Sequence, residues 1–406
     1  MLLARRRFLE AGASVAAFPR LTAAETKPPI RIGIVTDMNG PFADFAGPGA
    51  VIAGHLAAEE FADGVLGRPV QILAGDHQTK PDIASTIARD WIDTHGVSAI
   101  VECGHSGSAL ALQKLTRDKN RVFMITGAST SDLTNQACSP LGFHFNCDTF
   151  ALARTAALAI TKQGAASWFF ITVDYAFGHA LERDARRFVE QAGGKVLGAV
   201  RHPLGTSDFS SYLVDARASG ADVIAFANAG ADAENAIKQA AEFGIPKTGK
   251  RLAALLMFIT DVLALGLDAA QGLFVTNSFY WDLNQDTRAW TKRFMARKNQ
   301  FPTMNQAATY ACVRHYLRAL QNAGSTEAPV VAEAMRALPV SDMYNKDVRI
   351  REDGRVLSTM YLMQVKAPSE SASRGDVYRT VSTTPGDDAF RPLADSDCPL
   401  VKRQRT

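Results

Sequence analysis

Between residues 30 and 127, apolar runs of strand length alternate with amphipathic stretches of helical period. "IRIGIVTD" (30–37) precedes a Gly-rich loop and the helix "AVIAGHLAAEEF", and "VQILAGD" (70–76) precedes "DIASTIARDWIDTHG". "SAIVEC" leads into "ALALQKLTRD", and "VFMITG" (122–127) leads into a polar turn. Such an alternation predicts a parallel sheet with helices on both faces. The order then returns in "SWFFITVD" (167–174), "KVLGAV" (195–200), "DVIAFAN" (222–228) and "RLAALLMF" (251–258), with helices expected near 179–192, 209–219 and 232–243.

The repetition has a register. "KPDIASTIARDWIDTHGVSAIVECGHSGSALAL" and "TSDFSSYLVDARASGADVIAFANAGADAENAI" both run from a helix opening at an Asp, through a Gly, into an apolar strand, a small-residue turn and another helix. Laid over each other, the turn at Gly104–Ser106 meets the turn at Asn228–Gly230. The expectation is an α/β chain of two doubly wound parallel-sheet lobes, each presenting the carboxyl ends of its strands, where open α/β sheets bind ligands. Past residue 272 the pattern changes. "GLFVTNSFYWDL" reads as a strand able to cross back toward the first lobe, two long helices follow (286–300 and 304–323), and "DVRIREDGRVLSTMYLMQV" reads as a β-hairpin turning at Asp353-Gly354. Repeated crossings of this kind make a hinge.

With 406 residues, 47% hydrophobic and 21% charged, the chain is ordinary globular material, long enough for two cores. Of its 44 basic and 41 acidic residues, four arginines and one glutamate fall within residues 1–24, so the remainder is neutral. That balance argues against nucleic acid as a partner, and the small basic tail of Lys402, Arg403 and Arg405 reads as a solvated end. Residues 1–24 read as an export signal. Arg5-Arg6-Arg7-Phe8-Leu9 precedes a weakly apolar stretch and the small residues Thr22-Ala23-Ala24, with cleavage expected near Ala24. The pattern resembles a twin-arginine signal, and an ordinary secretory signal is the alternative; both place the mature protein in the periplasm. The first cysteine is Cys103, so none near the cleavage point is available for a lipid, and no later apolar run reaches membrane-spanning length.

The cysteines, Cys103, Cys138, Cys147, Cys312 and Cys398, fit no metal spacing, and no metal or cofactor is expected. In an oxidising compartment the expected disulfide is Cys138 with Cys398, since both lie beside prolines in irregular segments. The alternative leaves all five as thiols. Enzymatic readings fail on spacing. A hydrolase elbow around Ser106 needs a glycine where Ser108 stands, since a side chain there would collide with the strand or helix, and a histidine after its acid; residues 316–406 contain no histidine. The glycines at 47 and 49 begin a dinucleotide fingerprint that Ile52 breaks.

Four turns at strand ends are instead rich in hydroxyls, backbone amides or aromatics: 40–45, 104–108, 127–131 and 175–178. Hydroxyls and amides at helix starts suit a carboxylate, and rings suit the planar or apolar remainder of a small ligand. Together with the leader and the repeated lobes, "IRIGIVTDMNGPFADFAGPG", "ITGASTSDLT", "DYAFG" and "ANAGADAENAIKQAAEFGI" make residues 30–366 resemble the periplasmic solute-binding proteins of ABC importers, in the type I fold of the leucine/isoleucine/valine-binding group. The resemblance implies that Ser106 with Ala128, Ser129 and Thr130 holds the ligand's acid group. It also implies that Phe45, Tyr175 and Phe177 form aromatic walls, that Asn228 and Ala229 form the opposite turn, and that Tyr280 and Trp281 cap the cleft. Amino-acid binders of this group carry a carboxylate after the strand matching "ALLMF" to neutralise the ammonium. Here Thr260 or Ile259 stands at that place, with Asp261 one step on and available to cap a helix. A buried ammonium without a counter-ion is costly. The expected ligand is therefore a carboxylate without an α-amino group, an aromatic or keto acid, with a branched-chain amino acid or amide as the alternative.

The implied division of the chain is 29–148 plus 279–343 for the first lobe, 149–278 plus 344–368 for the second, and 369–406 as a tail packing back on the first. Implied too are a monomer that closes on its ligand by hinge motion and docks on an inner-membrane ABC permease, with no membrane insertion of its own. An exported serine hydrolase and a sensory ligand-binding domain are the rival classes.

Overall fold

A computed structural model describes residues 27–403, so the expected export signal lies outside the described residues. The first sheet contains β1 (Ile30–Thr36), β2 (Val70–Asp76), β3 (Val97–Cys103), β4 (Val122–Ile125) and β5 (Gly142–His144), all parallel, in the order β2-β1-β3-β4-β5. The second contains β6 (Ser167–Val173), β7 (Lys195–His202), β8 (Val223–Ala227), β9 (Arg251–Ala254), β10 (Phe274–Asn277), β11 (Met360–Val365) and β12 (Tyr378–Thr384). Its order is β12-β11-β10-β9-β8-β6-β7, parallel through β10 and antiparallel beyond. Counted from its own first strand, each sheet begins with the same order, second-first-third-fourth-fifth. The register read from the sequence thus pairs β3 with β8, the third strand of each. In both sheets the order reverses between the first and third strands, which opens a crevice at their carboxyl ends.

The inner strands are apolar on both faces because helices cover both. β4 (VFMI) and β8 (VIAFA) are buried at every position. The helix Met304–Ala323 packs along Gly47–Ala58 on the first sheet and buries Tyr316, Leu317 and Leu320. The chain passes between the sheets after β5, after β10 and before β11. Arg355, fully buried, binds these passages together. Its Nη2 is 2.9 Å from Asp148 Oδ2, it donates to the Asn146 carbonyl and meets the His144 ring, and it stacks 4.6 Å from the Phe390 ring. Asn146 in turn accepts from Ser278 at 2.8 Å, joining the second passage to the first.

Three expectations need correction. The strand expected over 251–258 ends at Ala254, so that residues 255–258 form a turn. Of the hairpin expected around Asp353-Gly354, the turn is present, with Gly354 at φ +82°, but its arms meet only in the single bridge Ile350–Val356. The apolar arm Met360–Val365 pairs with β10 instead, where burial is greater. Nor does the segment after 368 pass directly to the first lobe: 378–384 is the edge strand of the second sheet. Only its continuation crosses over, where Asp397 N donates to Asn135 Oδ1 and Cys138 and Cys398 form a disulfide with Cα atoms 5.6 Å apart. Cys147 and Cys312 are buried free thiols.

Candidate ligand-binding cleft between the two sheets

Six strand ends, three from each sheet, converge on one cavity. It is lined by Phe42 and Phe45 after β1, Gly104 and Ser106 after β3, and Gly127 and Ser129 after β4. From the other side come Tyr175 and Phe177 after β6, Ala229 after β8 and Leu256 after β9. No charged side chain is among them.

The loop after β1 is shaped by Asp37, whose carboxylate accepts the Gly40 amide at 2.8 Å and the Phe42 amide at 2.9 Å, while Thr303 donates to the Phe45 carbonyl at 2.6 Å. Phe45 is thereby held against the second lobe, stacked on Phe258 with centroids 4.2 Å apart. After β3, Gly104 takes φ +146°, a conformation side chains disfavour, and the chain turns sharply into the helix Ser106–Asp118. His105 caps that helix: its Nδ1 accepts the Ser108 amide at 3.1 Å and lies 2.9 Å from Ser108 Oγ. Burial, with His77 nearby, lowers its pKa to about 4, so the ring is neutral. It stacks on Tyr175 across the crevice at 5.2 Å. Ser106 Oγ accepts the Thr130 amide at 3.2 Å, which leaves its own hydrogen free to donate. Ser129 Oγ donates to the Gly127 carbonyl at 3.2 Å.

On the second lobe, burial, then Asp232, then Glu102 push the Tyr175 phenol up, so it stays protonated. Asp232 accepts the Gly205 amide, and burial raises its own pKa to about 6. Asn228 donates to His202 Nε2 at 3.1 Å behind the wall, and its Oδ1 is buried without a partner.

Of the residues expected at the site, Phe45, Ser106, Ser129, Tyr175, Phe177 and Ala229 meet at this cavity. Ala128, Thr130 and Asn228 lie directly behind it. The Ala128 amide donates to Glu102, and Thr130 caps the turn that follows by accepting from the Asp132 amide. Thr260, Tyr280 and Trp281 are elsewhere. Thr260 donates to Asp261 at 3.3 Å, and Asp261 accepts the Phe258 amide at 2.9 Å as a helix cap. Burial, together with Glu234, pushes the Asp261 carboxyl up. Tyr280 and Trp281 do not cap the cleft: both donate to the Gly375 carbonyl at 2.7 Å and pack on Tyr378 and Phe301, because their polar atoms are needed to seat the segment leading into β12. Sequence reasoning missed Phe42, Leu256 and Glu102. Leu256 was hidden by reading β9 four residues too long, whereas an acid in the last turn of the buried strand "SAIVEC" was a visible anomaly.

The rings of the two lobes touch, and the enclosed space is only ≈10 Å³, about one water. The described residues contain no grouping of His, Cys, Asp or Glu suited to a metal, and no helix among them is long and apolar enough to cross a membrane.

Two doubly wound lobes with a crevice at their facing strand ends, crossed three times by the chain, define a two-lobed solute-binding protein of type I topology. The chain belongs to the periplasmic binding protein family, whose sequence model matches residues 29–374. A periplasmic binding protein from Burkholderia mallei is 45% identical and superposes with a TM-score of 0.89 over 92% of this chain and 99% of that one. A branched chain amino acid ABC transporter periplasmic ligand-binding protein from Burkholderia xenovorans LB400 is 36% identical, with a TM-score of 0.83 over 92% and 100%. The Leu/Ile/Val-binding protein homolog 6 of Brucella abortus (strain 2308) is 25% identical over 283 residues, 68% of this chain and 70% of that protein. The chain is thus a periplasmic substrate-binding component of an ABC transporter, which binds a small molecule for a permease and is not an enzyme.

Proposed function

We propose that the cleft captures a small carboxylate without an α-amino group, an aromatic or keto acid, and releases it to an inner-membrane permease after export through the signal at residues 1–24. The observation that carries this reading is the make-up of the lining: serine hydroxyls from the first lobe face rings and apolar groups from the second, with no charged side chain between them. Asp261, one step from the position where an ammonium partner was expected, spends an oxygen on the Phe258 amide. The acid group accepts from the Ser106 hydroxyl, and from Ser129 once that hydroxyl turns away from the Gly127 carbonyl, while the body of the ligand separates Phe45 from Phe258 or His105 from Tyr175. Binding then favours closure because only the closed form satisfies both half-sites.

A branched-chain amino acid is the second reading, favoured by the Burkholderia xenovorans and Brucella relatives. A thermal-shift screen of the mature protein against aromatic acids, keto acids and amino acids separates the two, since a ligand at 100 times its Kd stabilises by about 2.7 kcal/mol. Shifts with zwitterionic amino acids alone would refute the first reading.

A further inference from the structure

Behind the hydroxyl floor of the cleft lies a buried anion. Glu102, near the end of β3, is fully buried, and its two oxygens reach two different turns. Oε1 accepts the His105 amide at 2.5 Å, and Oε2 accepts the Ala128 amide at 3.2 Å. His105 adjoins Gly104 and Ser106, and Ala128 lies between Gly127 and Ser129, all four of which line the cavity. One side chain therefore ties the β3 turn to the β4 turn from beneath. Both oxygens thus act as acceptors of backbone amides, so the buried carboxyl is not left without hydrogen-bond partners.

Charge compensation is thin. His77 Nε2 lies 3.4 Å from Oε1 but out of hydrogen-bond alignment, and His77 is itself fully buried. Its Nδ1 accepts the Thr79 amide at 3.0 Å, which places the ring proton on Nε2, toward the carboxylate. Among the described residues it is the basic side chain that pairs with Glu102.

Two consequences follow from this geometry. An amide that donates to Glu102 is not available to a ligand, so among the side chains of this floor the donor left for a ligand's head group is the Ser106 hydroxyl, the Ser129 hydroxyl being turned to the Gly127 carbonyl. A fixed negative charge also stands just behind that head group, in a dry cleft where Coulomb interactions are weakly screened. We infer that Glu102 is a positioning residue that sets the charge preference of the cleft: it holds the two turns in register and weakens the hold on an anionic head relative to a neutral one. The inference rests on the proposed use of this cavity as the ligand site.

The test compares matched acids and amides by calorimetry: benzoate with benzamide, and leucine with leucinamide. Glu102→Gln, which keeps the size and removes the charge, is expected to move the acid-to-amide affinity ratio at least threefold toward the acid. Glu102→Asp keeps the charge and shortens the reach, so it is expected to weaken both members of a pair equally. Removing the facing imidazole proton with His77→Phe is expected to move the ratio toward the amide, and it decides the matter if the Gln variant does not fold. Equal changes for acid and amide in Glu102→Gln, or a shift toward the amide, would overturn the inference. Wild-type protein that binds leucine but neither benzene derivative overturns the proposed ligand class alone, and the same ratio is then read from leucine and leucinamide.

Discussion

The first and second lobes share a strand order and differ in what they place at the strand ends. The first brings tight turns whose polar atoms are held by neighbours: Ser106 by the Thr130 amide, Ser129 at the Gly127 carbonyl, and the loop of Phe42 by Asp37. The second brings Tyr175, Phe177, Ala229 and Leu256, which are mainly ring and apolar surface. Topology therefore sets where a ligand can sit, because helix starts and strand ends coincide there. Which half grips the head and which the body depends on side chains that the topology does not constrain. The second lobe also carries two antiparallel strands that the first lacks, and through them the C-terminal segment begins on one lobe and ends, by a disulfide, on the other.

The staple between the lobes should give the largest effect. Replacing Cys138 and Cys398 with serine opens a link across 260 residues, and about 2–5 kcal/mol of stability should be lost; an unchanged melting midpoint without reductant would show that the tail is held by its other contacts. Next comes the division of labour within the cleft. Ser106→Ala should weaken an acid ligand by about 1.5–3 kcal/mol, as expected for a hydrogen bond to a charged group, whatever the ligand's body. Tyr175→Leu should cost an aromatic acid about 0.5–1.5 kcal/mol more than an aliphatic one. Titration calorimetry with both acids checks this, and equal losses in all four combinations would break the contrast between floor and wall.

The contact of His105 with Tyr175 offers a pH test. Burial first, and then His77, lowers the folded His105 pKa to about 4 from the usual 6.5. The unfolded chain thus takes up this proton at a pH where the folded one does not. Its contribution to stability is complete above pH 6.5 and is lost as the pH falls toward 4, about 1.4 kcal/mol being gone at pH 5.5. His105→Asn should flatten that decline in melting curves recorded between pH 7 and 5. The smallest effect belongs to Trp281, whose indole donates to the Gly375 carbonyl. Trp281→Phe should cost about 1 kcal/mol of stability and leave ligand affinity unchanged; lost affinity with stability intact would restore it to the cleft.

Most strands were legible because parallel sheets covered on both faces need continuous apolar runs, as in β6, and the edge strand β2 and the helix Met304–Ala323 also fall on the residues the pattern indicated. The boundaries that failed share a cause. "RLAALLMF" is apolar for eight residues, yet the strand stops at Ala254: Leu256 and Phe258 turn toward the facing lobe, while Met257 stays in the core of its own. Composition cannot separate those two kinds of burial. The family resemblance puts Tyr280 and Trp281 at the cleft, whereas in the structure their polar atoms go to the Gly375 carbonyl.

The order of strands and helices and the repeat of one lobe by the other follow from local pattern and short-range chemistry, which a linear chain displays directly; the pairing of Cys138 with Cys398, 260 residues apart, could be expected there but was decided by the fold. The meeting of Phe45 with Phe258, the seating of Glu102 under two turns and the capture of Met360–Val365 by β10 were decided only in the folded molecule. Each of these depends on which of several chemically equivalent partners is nearest once the chain is packed, and distances across the chain are fixed by close packing of the whole.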